Sequence, residues 1–139
     1  MTFIASVCFF QDSFPVHDSG AIVISGCSSG IGRHLAISLA KMNYTVYAGV
    51  RNEKDAHSLQ TEGLGHLHPV FLDVTKESDI INLASMIKNS DEKLVGVVNN
   101  AGIVFDHDIF VEISSVKEAK KVFDVNLFGV MLMINRLVL

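Results

Sequence analysis

The stretch that decides the fold is VISGCSSGIGRHLA, Val23–Ala36, where an apolar run meets three glycines and then a helical pattern. The apolar run, residues 21–25, is typical of a strand buried on both faces of a sheet. From Ile31 onward, apolar residues recur with the spacing of an amphipathic helix. Such a turn offers a phosphate unpaired N–H groups and the partial positive charge of a helix N-terminus. The stretch therefore predicts a phosphate-binding turn.

Each of the three glycines has a predicted part in this turn. Gly26 would permit the tight turn, Gly30 the close approach of a pyrophosphate, and Gly32 the close packing of helix against strand. Ser28 and Ser29 would add hydroxyl groups facing the same space. The spacing lacks the Gly-Lys-Ser/Thr of a nucleoside-triphosphate loop. An ordinary tight turn without a ligand is the alternative that the glycines alone leave open.

The rest of the chain alternates strand and helix patterns. Further strands are predicted at residues 45–50, 69–72 and 94–98, with helices at residues 54–62, after residue 75 and after residue 115. This alternation predicts parallel pairing, right-handed crossovers and an α/β fold with a doubly wound sheet.

Two helix starts can be predicted in more detail. Thr75 is expected to cap one helix, with Glu77 and Asp79 in its first turn. Ser115 and Glu118 have the spacing of a capping box at the start of the last helix. The buried stripe of the helix after Thr75 is predicted to be Ile80, Ile81, Ala84 and Ile87.

Composition excludes several classes of protein. The 139 residues are 49% hydrophobic and 19% charged, which suits a packed core. The net charge of −4, without a basic cluster, argues against a nucleic-acid partner. The two cysteines, Cys8 and Cys27, form no disulfide framework, so a cytoplasmic location is expected. The apolar run Phe3–Phe10 is too short to span a bilayer, and membrane association through it stays open. His66 and His68 lack a third ligand of matching spacing, so no metal site is predicted.

Four motifs, in this order along the chain, resemble the short-chain dehydrogenase/reductase family. They are SGCSSGIG at 25–32, the Asp73–Val74 pair, NNAG at 99–102 and DVNLFG at 124–129. The resemblance extends from Ile22 to the end of the chain, and it is greatest to the branch of steroid and retinol dehydrogenases. Ser25 stands where the family usually has Thr, and a hydroxyl is kept.

The resemblance implies the domain organisation. Residues 21–139 would form a truncated Rossmann-type NAD(P)-binding domain, a parallel sheet of strand order 3-2-1-4 that is incomplete at its C-terminal end. Residues 1–20 would be a poorly ordered leader.

The resemblance also implies roles for individual residues. Asp73 would accept a hydrogen bond from the adenine amino group, and Val74 would lie beside the adenine ring. Asn99, Ala101 and Gly102 would line the cofactor's ribose.

Two further residues complete the predicted site. Ile31, like Ser25, belongs to the cofactor-binding turn. Asn126, expected as a buried amide beside Val122, Phe123 and Val130, would hold a water of the family's proton relay and is the predicted catalytic residue.

The end of the second strand predicts NADP(H) in preference to NAD(H). An NAD site places a carboxylate there for the ribose 2′-hydroxyl, whereas a 2′-phosphate needs a cation. This chain has Val50 and Arg51 at that point.

The implied activity is NAD(P)-dependent interconversion of an alcohol and a carbonyl compound by hydride transfer. In the family a Ser and a Tyr-x-x-x-Lys pair carry the proton, but neither Tyr44 nor Tyr47 has a lysine four residues later. We therefore predict a cofactor-binding half that is inactive alone. A non-catalytic dinucleotide-binding or interaction module, or a gene-model fragment, are the alternatives.

The same comparison predicts association with other chains. Leu94–Val98 would form an open, apolar sheet edge, and Leu132, Met133, Leu137 and Leu139 would lack part of their cover. Open edges and apolar patches favour self-association, so a homo- or hetero-oligomer is expected.

Overall fold

A computed structural model describes residues 17–104 and 115–138. Within these residues the strands are β1 Ala21–Ile24, β2 Thr45–Val50, β3 Leu67–Phe71 and β4 Leu94–Val98. The helices are α1 Gly30–Lys41, α2 Glu53–Gln60, α3 Glu77–Lys88, α4 Val116–Phe123 and α5 Val130–Leu137. A π-helical turn, Asp124–Gly129, joins α4 to α5. The predicted leader and its apolar run lie almost wholly outside the described residues.

The four strands form one parallel sheet in the order β3-β2-β1-β4. The predicted α/β fold and strand order are confirmed. The sheet is covered on both faces, as the apolar run of β1 requires. Alternate residues of Ala21–Ile24 pack with Ala36 and Ala40 of α1 on one face, and with Ile80 of α3 and Met133 of α5 on the other.

Element bounds differ little from those predicted. β2 and β4 have the expected limits, whereas β3 begins earlier, at Leu67, and includes Pro69. A proline is tolerated there because β3 is an edge strand, so its missing N–H breaks no inner pairing. The capping box of α4 is confirmed: Ser115 Oγ accepts from Glu118 N, and the Glu118 carboxylate accepts from Ser115 N.

The predicted buried stripe of α3 was partly wrong. Ile80, Leu83 and Ile87 are buried, but Ile81 is 46% exposed and Ala84 only half-buried. A helix rotates by about 100° per residue, and the sheet meets the face centred on residues 80, 83 and 87.

The predicted cap of α3 was also wrong, and Ile31, where the helical spacing begins, does not face the core. Lys76 is the N-cap residue of α3, because the Thr75 hydroxyl bonds to Asp73 instead. Ile31 is 80% exposed, since the first turn of α1 lies beyond the end of β1 and no strand residue covers it.

The surface near the C-terminal helix differs in part from the prediction. Leu132 and Leu137 are half-buried, as expected for incomplete cover, but Met133 is fully buried. The exposed apolar side chains of this segment are Met131, Ile134 and Val138. β4 lies at the edge of the described sheet, with its five residues half-buried, as predicted for an open edge. Leu139 lies outside the described residues.

Candidate cofactor-binding site

A cleft of about 320 Å³ opens at the carboxyl ends of the strands. Strand order reverses between β1 and β4, and ligands of open α/β sheets bind at such a switch point. The lining residues come from the end of β2, from the loops that follow the four strands and from the π-helical turn: Gly26, Ser28, Ser29, Gly49, Val50, Arg51, Leu72, Asp73, Val74, Asn100, Ala101, Gly102, Ile103 and Val125. Eight predicted site residues are therefore brought together here: Gly26, Ser28, Ser29, Arg51, Asp73, Val74, Ala101 and Gly102.

The glycines shape the turn between β1 and α1. Gly26 has φ +72°, a conformation that side-chain-bearing residues rarely adopt. A Cβ on Gly32 would lie 2.4 Å from both the Gly26 carbonyl oxygen and Asn100 Nδ2. Gly32 is thus required for close packing, as predicted. Gly30 also has positive φ, +58°, and the space around its Cβ position is open.

The N-terminus of α1 differs in charge from the starts of α2, α3 and α4. Its N-cap residue, Ser29, makes no capping side-chain hydrogen bond within the described residues, and its first turn has no acidic residue. By contrast, α2, α3 and α4 each carry acidic side chains in the first turn. The positive end of the α1 dipole therefore faces the cleft without a negative side chain of its own helix, which suits an anion.

Ser25 lies beneath the cleft rather than in its wall. Its side chain is buried, 1% exposed, and its Oγ accepts hydrogen bonds from the backbone nitrogens of Asn100 (3.1 Å) and Ala101 (3.0 Å). The Ser25 hydroxyl thereby ties the turn after β1 to the turn after β4.

Asn100 lines the cleft, a residue that the sequence prediction missed. Its Nδ2 donates to the carbonyl oxygens of Ser25 and Gly26, both at 3.0 Å. Asn99, which was predicted instead, does not line the cleft, and its buried Oδ1 has no partner among the described residues. Strand alternation could have identified Asn100: Val98 packs on the α1 side and Val97 on the opposite side, so residue 100 continues toward α1.

Charged groups of opposite sign stand at the β2 and β3 ends of the cleft. Arg51 follows Val50, which is 1% exposed, and Asp73 follows Leu72. Partial burial raises the pKa of Asp73, but hydrogen bonds from Thr75 and the charges of Lys76 and Arg51 outweigh it and hold that pKa below its usual value. Asp73 is therefore an ionised acceptor at neutral pH.

Asn126 is exposed, so the expectation of a buried amide was wrong. It lies in the π-helical turn, and π turns are frequent at functional sites. Its side chain nevertheless makes two hydrogen bonds to one residue: Oδ1 accepts from Ile103 N at 2.9 Å, and Nδ2 donates to Ile103 O at 2.8 Å. Asn126 thus fixes the segment after β4, whose Ile103 lines the cleft.

The buried thiol of Cys27 is part of the packing. It donates to the Ile24 carbonyl oxygen, and burial raises its pKa to about 12.

In residues 17–104 and 115–138, no group of three His, Cys, Asp or Glu side chains is placed to hold a metal ion. Over the same ranges, every helix is too short or too polar to cross a bilayer.

Comparisons with known proteins identify the family. The family model described as short chain dehydrogenase matches residues 20–138. The chain is 35% identical over 126 residues to 17-beta-hydroxysteroid dehydrogenase type 6 of Bos taurus, covering 89% of this chain and 37% of that protein. It is 36% identical over 95 residues to retinol dehydrogenase 5 of Mus musculus, and the match covers 67% of this chain and 30% of that protein.

Solved structures agree with this assignment. A putative short chain dehydrogenase from Escherichia coli CFT073 complexed with NADPH superposes with TM-score 0.75 at 26% identity, covering 86% of this chain and 52% of that one. A 3-ketoacyl-(acyl-carrier-protein) reductase from Brucella melitensis complexed with NADH superposes with TM-score 0.78 at 28% identity, covering 86% of this chain and 49% of that one.

The chain belongs to the short-chain dehydrogenase/reductase family, in the branch of steroid and retinol dehydrogenases, as its motifs predicted. It spans about a third of the length of these curated relatives, 37% and 30%. The matched part is the cofactor-binding part of a dinucleotide-dependent oxidoreductase fold.

Proposed function

We propose that this chain binds NADP(H) in the cleft, in preference to NAD(H), as the cofactor half of an alcohol–carbonyl oxidoreductase. The preference rests on the identity of two adjacent residues at the end of β2, Val50 and Arg51. Arg51 lines the cleft, while the position that would need a carboxylate for NAD holds the buried side chain of Val50. Solved relatives bind NADPH in one case and NADH in another, so the preference rests on these two residues.

The remaining contacts of the proposed cofactor follow from charge and shape. The pyrophosphate would lie at the start of α1, where the N–H groups and the hydroxyls of Ser28 and Ser29 line the cleft. The adenine would lie near Asp73 and Val74. The ribose of the nicotinamide end would lie along Ala101 and Gly102.

In the proposed chemistry this chain binds the cofactor that donates or accepts the hydride. Bound NADP(H) supplies or accepts the hydride, and the substrate would be a small-molecule alcohol or carbonyl compound. The names of the hydroxysteroid and retinol dehydrogenases favour an apolar alcohol. Asn126, which is bonded to Ile103 at the edge of the cleft, would hold a water of the proton relay, as the family resemblance implies.

Titration of the chain with NADPH and with NADH tests the proposal. We expect tighter binding of NADPH, and about 10- to 100-fold loss of that affinity in Arg51→Ala, since charge-assisted hydrogen bonds contribute about 1.5–3 kcal/mol. Val50→Asp combined with Arg51→Ala should reverse the preference. Arg136→Ala is the matched control, because Arg136 is also exposed but pairs with Glu77 outside the cleft. NADH as the tighter ligand of the unaltered chain would contradict the preference.

The proposal extends to cellular location and assembly. A reduced, buried Cys27 is consistent with the cytoplasm, and fractionation of cells expressing the tagged chain tests this. The open β4 edge and the exposed side chains of Met131, Ile134 and Val138 favour an oligomer.

A further inference from the structure

Asp73 is held in place by the residues that directly follow it. Its Oδ1 accepts two hydrogen bonds from Thr75, one from Oγ1 at 2.7 Å and one from the backbone nitrogen at 3.0 Å. Its backbone nitrogen donates to Asp79 Oδ2 at 3.1 Å, and its carbonyl oxygen accepts from Lys76 N at 2.9 Å. The turn therefore fixes both the backbone of Asp73 and one oxygen of its carboxylate.

These bonds determine which oxygen of Asp73 can meet a ligand. Within the described residues, both hydrogen bonds received by the carboxylate end on Oδ1. Two donors on one oxygen restrict rotation of the carboxylate plane, so the direction of Oδ2 is restricted as well. Oδ2 is thus the carboxylate oxygen that receives no hydrogen bond from the described residues, and Asp73 itself lines the cleft.

The Thr75 hydroxyl has no part in starting the next helix. Lys76 is the N-cap residue of α3, and Asp79 in the first turn reaches back to Asp73. Thr75 is itself exposed and does not line the cleft. The hydrogen bond of its hydroxyl is therefore the one that it donates to Asp73 Oδ1.

The lining of the cleft around Asp73 suits a flat ring with an amino group at its edge. Val50, Leu72 and Val74 line this end of the cleft together with Asp73. A carboxylate is an acceptor only, so it favours a ring that presents an N–H donor and disfavours one that presents a carbonyl oxygen.

We propose that Thr75 is a positioning residue that orients the Asp73 carboxylate toward the adenine amino group, so that the cleft selects adenine over a purine with a carbonyl there. This inference rests on the proposed function, because it takes the cleft to hold a dinucleotide.

The test compares NADPH with its hypoxanthine analogue, in which a carbonyl replaces the adenine amino group. Dissociation constants of both are measured for the unaltered chain, Thr75→Val and Thr75→Ser. We expect the unaltered chain to prefer NADPH by about tenfold or more, the lower end for a hydrogen bond to a charged group. Thr75→Val should weaken the binding of NADPH but not that of the analogue, so the preference should fall to about threefold or less. Thr75→Ser, which keeps the hydroxyl, should retain the preference of the unaltered chain.

A control separates positioning from a general loss of structure. Thr61→Val makes the same change at an exposed threonine whose hydroxyl bonds to Ser58 O, away from the cleft. It should leave the preference unchanged. An unchanged preference in Thr75→Val would overturn the inference while leaving the proposed function standing. Failure of the unaltered chain to bind either dinucleotide would overturn both.

A second measurement needs no cofactor. The titration of the Asp73 carboxyl is followed by NMR in the ligand-free chain. Thr75→Val removes the hydroxyl bond, so the pKa of Asp73 should rise toward its usual value, whereas Thr75→Ser should leave it lowered. An unshifted pKa in Thr75→Val would show that the hydroxyl does not hold the carboxylate, and the inference would be wrong.

Discussion

Ser25 and Asn100, 75 positions apart in the chain, are joined by two hydrogen bonds. The backbone nitrogen of Asn100 donates to Ser25 Oγ at 3.1 Å, and Asn100 Nδ2 donates to Ser25 O at 3.0 Å. These bonds hold the turn after β1 against the turn after β4, so the two walls of the cleft are fixed before any ligand enters. Preorganisation of this kind reduces the ordering cost of binding.

The first prediction concerns the Ser25 hydroxyl. Ser25→Ala removes the acceptor of two backbone N–H groups, Asn100 and Ala101, and leaves them without that partner. We expect the free energy of unfolding, measured in urea, to fall by about 1–3 kcal/mol. Ser28→Ala is the control, since Ser28 is exposed at the cleft, and it should leave unfolding unchanged while weakening cofactor binding. Equal stability of Ser25→Ala and the unaltered chain would refute this role.

The second prediction concerns the contact between Gly32 and Gly26. Gly32→Ala places a Cβ 2.4 Å from the Gly26 carbonyl oxygen, so the turn or α1 must shift. We expect a loss of about 1–3 kcal/mol of stability, as for other overpacked sites, together with loss of NADPH binding. Gly65→Ala makes the same change where no heavy atom beyond its chain neighbours lies within 4 Å of the added Cβ, and it should be neutral. A Gly32→Ala chain that binds NADPH normally would contradict the packing argument.

The third prediction concerns Cys27. Its thiol is fully buried and burial raises its pKa to about 12, so almost none of it is the reactive thiolate at pH 8. In a Cys8→Ser background we expect labelling by a thiol reagent only at the rate at which the protein opens. Urea should accelerate the reaction steeply. Labelling of the native protein at the rate of an unfolded chain would show that Cys27 is accessible.

The fourth prediction concerns activity. The 139-residue chain contains no Tyr-x-x-x-Lys sequence, so it offers no such group for proton transfer. Loss of positioned acid–base catalysis alone costs about 10²–10⁴-fold in rate. We expect NADPH to bind without measurable reduction of ketones or aldehydes, in an assay of NADPH absorbance. Turnover at an ordinary enzymatic rate by the purified 139-residue chain would disprove this.

Much of the fold could be predicted from the sequence because its signals are local. The apolar run of β1, the glycines and the strand–helix alternation each report a backbone requirement or a buried face. The buried stripe of α3 was mispredicted at Ile81, since several apolar residues permit more than one face and tertiary packing selects among them. Ile31 shares the helical spacing of α1 and is nevertheless exposed, because helical spacing does not reveal where the sheet ends.

The candidate site could be predicted less completely, because its residues interact over long distances in the chain. Asn99 and Asn100 are adjacent and chemically identical, and only the alternation of β4 separates their directions. Asn126 lies in a π-helical turn, and the regular helical spacing from which its burial was predicted does not describe such a turn. The hydrogen bond from the Thr75 hydroxyl to Asp73 could not be predicted from the sequence, because a threonine just before a helix is equally typical of an N-cap residue.

The central claim is that the cleft after β1 holds a dinucleotide. Its most direct test is the ¹⁵N–¹H spectrum of the chain as NADPH is added. We predict that the largest shifts occur at the amides of Gly26, Ser29, Arg51 and Gly102, which line the cleft, while those of Ile81 and Lys88, outside it on α3, stay unchanged. Shifts confined to residues outside the cleft, or no shifts at saturating NADPH, would contradict the claim.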